Sequence, residues 1–286
     1  MLALLLIVAC SPVSAPELLL PPLAAAAGGP GERGPYGAAW VEARAQARVS
    51  DAIPLDIIYP SSADASLAVH GAPVVVFVHG GLVGPERYHW LPAYLATKGW
   101  VSVLPEADWE LAISEPANGD LALDRLQELS SGDGVLAGAV GAGQPVVAMG
   151  HSLGGVLAAG QWVRDDDVDA LVLLASFPAG FTPVEEGEGP VLALTGLTDV
   201  FDWAELRTQL GRVEGPTLDA RIDGMNHYAW TDDATTAELN SDGPQARPVA
   251  ATRRDALRVL DTWLDVVLFD GDEALLAAGF PGVELR

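Results

Sequence analysis

Apolar residues along the chain fall into two kinds of run. Short stretches with little polar alternation, APVVVFVHGG (72–81), WVSVLPEAD (100–108), QPVVAMG (144–150), DALVLLAS (169–176) and PVLALTG (190–196), are rich in β-branched and aliphatic side chains. That is the pattern of strands covered on both faces. Between them the spacing turns helical. WLPAYLATKG (90–99) ends at a glycine, Leu123, Leu126 and Leu129 share one face of a second helix, and Leu153, Val156, Leu157 and Gly160 share one face of a third. Leu257, Leu260, Leu264 and Leu268 predict an amphipathic helix near the C-terminus. WVEARAQARV (40–49) and AIPLDIIYP (52–60) read as an antiparallel pair, and LDARID (218–223) as a shorter strand. Strands alternating with helices predict an α/β fold: a mostly parallel central sheet with helices on both faces. Ligands of such sheets bind beyond the carboxyl ends of the strands, so candidate chemistry belongs there.

The N-terminus has a different texture. MLALLLIVACS is apolar over the length of a signal-peptide core and too short to span a bilayer. Ile7-Val8-Ala9-Cys10 is similar to a bacterial lipobox, in which the cysteine is lipidated, although no Lys or Arg precedes the apolar run. Residues 1–10 are therefore expected to be an export signal ending at a lipidated Cys10, and residues 11–37, rich in Pro, Ala and Gly, a tether. Residues 38–286 are expected to form one domain. The product would be exported, anchored in a bacterial cell envelope or otherwise secreted.

Charge narrows the partners. Fifteen basic against 39 acidic residues leave a formal net charge of −24, and Lys98 is the sole lysine. Such a surface repels phosphates, which excludes nucleic acid and leaves membrane contact to the N-terminal anchor alone. Cys10 is the only cysteine, so no intramolecular disulfide forms. The five histidines show no metal-site spacing with the carboxylates.

Gly150-His151-Ser152-Leu153-Gly154 carries the strongest chemical signal. A strand runs straight into it and a helical period starts at once, the context of a nucleophile elbow. Glycines at 150 and 154 remove the Cβ atoms that would clash as the chain turns back. A serine nucleophile needs a base, and the base an orienting acid. His227 follows the last strand candidate, and Asp199 follows PVLALTG, with Asp202 a second carboxylate further from the strand end. The order Ser152, Asp199, His227 fits a hydrolase triad. Two backbone N–H groups should face the developing oxyanion: Leu153, after the nucleophile, and Gly81 in HGGL (79–82), with Leu82 as alternative. Leu82, Trp109, Phe177, Phe181 and Trp230 are candidates for the substrate cleft.

Together these residues resemble the α/β-hydrolase superfamily from about Trp40 to the C-terminus. IPLDIIYPSS, PVVVFVHGGLVGPERYHWLPAYLATKGWVSVLPEADW, GHSLGG and LTGLTDV are similar to chlorophyllases, platelet-activating-factor acetylhydrolases and bacterial polyester hydrolases. The resemblance implies an α/β-hydrolase fold and hydrolysis of a small-molecule, lipid or polymer ester through an acyl-enzyme, without a cofactor. Only FPAGFTPVEEGEG separates two strands where lipases often insert a lid, so no large lid domain is expected, and a monomer is. Amide, thioester and acyl-transfer chemistry, or a non-catalytic binding lipoprotein, are the alternatives the motif leaves open.

Overall fold

The computed structural model describes residues 13–23, 28–46, 52–106, 118–179, 182–199, 202–241 and 243–286. Cys10, Trp109 and Phe181 lie outside these residues. The described strands form a ten-stranded sheet in the order β1-β2-β3-β5-β4-β6-β7-β8-β9-β10. Its parallel centre comprises β5 (Val101–Pro105), β4 (Val74–Val78), β6 (Val146–His151), β7 (Ala170–Leu174), β8 (Val191–Gly196) and β9 (Thr217–Ile222). Antiparallel strands flank it: β1 (Glu17–Leu20), β2 (Gly37–Ala45) and β3 (Ile53–Ser61) on one side, and β10 (Val283–Leu285) on the other.

The unbroken apolar runs are explained by two core layers. Along β4, Val74, Val76 and Val78 face one layer while Val75 and Phe77 face the other. The first layer is closed by α2 (Asn118–Ser131), α3 (Leu153–Arg164) and α4 (Trp203–Leu210), through residues such as Leu126, Trp162 and Leu206. The second is closed by α1 (Trp90–Thr97) and α6 (Val249–Leu268), through Leu91, Leu95, Leu260 and Trp263. Burying a side chain of this size stabilises by roughly 1.5–3 kcal/mol, so the central strands carry apolar residues at most positions, on both faces. Two short helices, α5 (Thr236–Ser241) and α7 (Glu273–Ala277), complete the described helices. No described helix is long and apolar enough to cross a membrane. Among its described residues, the segment between β7 and β8 holds one 3-10 turn, with Val184 in the core.

One expectation needs correction. Part of the stretch read as a tether belongs to the domain. β1 pairs with β2, Ser14 N–H donates to Glu42 O at 2.9 Å, and Gly31 N–H donates to the Asp261 carboxylate at 2.9 Å. Lys98 Nζ donates to Gly28 O and Gly29 O. Composition suggested a free linker, but these contacts are long-range and leave no local period to read.

Candidate active site

The carboxyl end of β6 runs directly into α3, and Ser152 sits on the corner with φ +54° and ψ −123°. Side chains with a Cβ avoid this region, and holding one there costs about 1–3 kcal/mol. The surroundings leave little choice. A Cβ on Gly150 would collide with the carbonyl of Gly154, and one on Gly154 with the carbonyls of Val78 and His79. The main chain of Ser152 is pinned as well. Its N–H donates to Leu174 O at 2.9 Å, and its carbonyl accepts the Ser176 hydroxyl at 2.5 Å.

The turns after β8 and β9 meet each other. Leu197 N–H donates to Ile222 O, and both the N–H and the hydroxyl of Thr198 donate to Met225 O. This ladder carries Asp199 to His227, whose Nδ1 stands 3.4 Å from each carboxylate oxygen. The Asp199 side chain is fully buried and that of His227 is 17% exposed. Asp202 does something else: its carboxylate accepts from the N–H groups of Ala204 and Glu205, capping α4. Asp202-x-x-Glu205 carries that capping signature in the sequence.

His227 opens a 3-10 turn (227–230) that is stitched down from several sides. Asn226 donates its side-chain amide to Leu239 O and Gly243 O. Arg253 of α6 donates to Ala229 O and Thr231 O, at 2.8 and 2.7 Å, with its guanidinium 4.2 Å from the centre of the Trp90 ring. Trp90 Nε1 donates to Trp230 O at 2.7 Å. The His227 ring lies 4.6 Å, centre to centre, from that of His151, the residue before the serine. Burial first, and the neighbouring His227 second, hold the basicity of His151 well below the ordinary histidine value. The Ser152 hydroxyl makes no hydrogen bond among the described residues, His227 included. Such bonds are often open in unliganded hydrolases and close on substrate.

Other expected residues separate cleanly. Leu153 begins α3 and Gly81 follows β4, and no described acceptor takes either N–H. Leu82, with φ +62°, stands 67% exposed beside them. Phe177 packs partly buried against the core on the α3 side. Trp230 is a correction: at 1% exposure it is core, not a cleft wall, because its turn folds the ring inward against Trp90. Among the described residues no three His, Cys, Asp or Glu side chains could hold a metal. A concavity lined by Gln127, Ser130, Gln144 and Asp169 lies at the amino ends of β6 and β7, the end away from Ser152.

The alpha/beta hydrolase family profile matches residues 74–235, more than half the chain, and spans the elbow, Asp199 and His227. The chain belongs to this family. Membership agrees with the sheet order and makes hydrolysis the class of activity. No curated protein matches the sequence. Sequence reasoning passed over Tyr88, Trp90, Asn226 and Arg253, the residues that place this hydrolase's elbow and histidine turn relative to each other. Only the aromatic-basic texture of PERYHW offered a signal, and it fits a surface helix equally well.

Proposed function

We propose that the protein is a serine esterase working through an acyl-enzyme. The observation that carries this is Ser152, held in a strained backbone on the corner between β6 and α3, at the sheet end where a buried Asp199 meets His227. His227 takes the proton of Ser152 as Oγ bonds to the ester carbonyl carbon. The oxygen that gains charge is received by the N–H groups of Gly81 and Leu153. The tetrahedral adduct collapses, breaking the bond to the alkoxy group, which leaves with the proton from His227. Water then repeats the sequence on the acyl-enzyme, and Ser152 is restored. Asp199 orients the imidazole and stabilises its charged form. Each backbone donor in such a hole contributes about 2.7–4 kcal/mol to the transition state.

The ester class rests on the likeness of IPLDIIYPSS, the stretch from Pro73 to Trp109, GHSLGG and LTGLTDV to chlorophyllases, platelet-activating-factor acetylhydrolases and polyester hydrolases. Leu82 at the rim suits an apolar acyl chain. Export with a lipid on Cys10 belongs to the same proposal, supported by the lipobox-like IVAC. Short-chain nitrophenyl esters test the activity. Wild type should turn them over and label with a fluorophosphonate probe, while Ser152→Ala should fall by about 10⁴-fold or more and not label. Equal turnover by both proteins sinks the assignment. An amide or thioester turned over far faster than any ester redirects it to the alternative leaving groups.

A further inference from the structure

His151 is 2% exposed, and its Nδ1 lies 2.8 Å from the hydroxyl of Tyr88, itself 1% exposed. The same hydroxyl accepts the Gly80 N–H at 3.1 Å. An oxygen that accepts from an amide still has its own proton to give, and Nδ1 is the acceptor within reach. The opposite assignment would bury both an unused hydroxyl proton and a bare ring nitrogen. His151 is thus a neutral imidazole with its proton on Nε2, an atom buried without a hydrogen-bond partner on the side chain that packs against His227.

We infer that Tyr88 and His151 form a positioning relay, running from the loop after β4 to the ring of His227, that holds the anion-binding loop and the base in one register. The relay rests on the esterase reading above. At one end, the peptide that Tyr88 holds is followed directly by the Gly81 amide. Gly80 has to be glycine for this approach, since a Cβ there would stand 2.7 Å from the Tyr88 hydroxyl and 2.9 Å from His151 Nδ1. At the other end, the neutral His151 ring supports the His227 ring without setting a second cation beside the imidazolium formed during turnover. The segment that carries Tyr88 also grips the histidine turn directly. Arg87 Nε donates to Asp232 O, and the Trp90 N–H donates to the Asp232 carboxylate at 2.9 Å. Tyr88 therefore sits where two catalytic loops share one anchor. Neither it nor His151 touches the reacting atoms.

The test compares full-length wild type, Tyr88→Phe and Gly80→Ala by steady-state ester hydrolysis, fluorophosphonate labelling and thermal melting. Long-range ¹⁵N–¹H spectra of the imidazoles read the tautomers. Tyr88→Phe should stay folded and lose about ten- to a hundredfold in kcat with KM within about twofold, because misplacement rather than lost binding slows the reaction. Gly80→Ala should change kcat in the same direction. Wild-type His151 should show the Nε2–H tautomer. Should Tyr88→Phe not fold, that spectrum and Gly80→Ala decide. Wild-type kcat in a folded variant, a rise in KM alone, or an Nδ1–H tautomer overturns the relay. A wild type that neither hydrolyses esters nor labels is a different result: it removes the esterase reading, and the relay's catalytic role with it.

Discussion

Ser152 is placed by backbone, whereas His227 is placed by side chains. Around the serine the fixing contacts are chiefly main-chain groups and glycines: Gly150 and Gly154 beside it and the ends of β4 and β7, with one hydroxyl, that of Ser176, on the Ser152 carbonyl. Around the histidine they are Arg253, Trp90 and Asn226 reaching in from α6, the start of α1 and the turn itself. A backbone device is rigid and fails as a unit. A device of side chains can lose one member and loosen by degrees. Ser152 and His227 should therefore respond to mutation in different ways.

The largest contrast concerns the two carboxylates. Asp199→Asn should cost about 10³- to 10⁴-fold in kcat with melting nearly unchanged, as expected when the partner that orients an imidazole is neutralised. Asp202→Asn, which keeps a good helix cap, should leave activity within about twofold. Ester assays on the pair check this, and the reverse ranking would assign the acid to Asp202.

Next comes the elbow. Gly154→Ala sets a Cβ against two carbonyls and should destabilise the fold by about 2–4 kcal/mol or prevent it. Ser152→Gly should be stabilising by about 1 kcal/mol, because glycine tolerates this φ. Urea unfolding of both variants measures the stored strain. A Gly154→Ala protein as stable as wild type would contradict the backbone account.

A smaller effect is expected at the side-chain device. Arg253→Met removes two charge-assisted donors to the histidine turn. It should lower kcat by about tenfold and slow fluorophosphonate labelling, while leaving a cooperative melt. Loss of folding on that single change would erase the distinction between the two regions.

The smallest effect is a pH slope. The depressed basicity of His151 keeps it neutral when folded, but the unfolded chain takes up a proton there below about pH 6.5. Stability should therefore fall as pH drops from 7 to 5, by up to about 1.4 kcal/mol per unit from this group. Urea midpoints at pH 7, 6 and 5 should show a shallower slope for His151→Gln than for wild type. Parallel slopes would mean that the buried ring is not the source.

The same contrast governs what could be read in advance. The elbow was legible because GHSLGG and the flanking periods are contiguous, and backbone geometry is a local property. That Asp199 and His227 meet could be anticipated because each follows a strand whose end the apolar pattern marks. Trp230 was misplaced because nothing local says whether a turn carries its ring inward or outward. The four residues of β1 and the three of β10 were missed because each is too short for a period and is defined by its partner strand. Tyr88 and His151 stand 63 positions apart, with no spacing rule to connect them.

The docking of Ser14 and β1 on the sheet has a mechanical corollary. The lipid proposed for Cys10 would stand three positions before Val13, the first described residue. Three residues of any chain reach at most about 10 Å. Ser152 lies five strand spacings from β1, roughly 24 Å across the sheet. On the proposed anchor and esterase activity, a protein moored so closely would work within a few nanometres of the bilayer, grazing whatever esters come to that surface rather than sweeping the surrounding fluid.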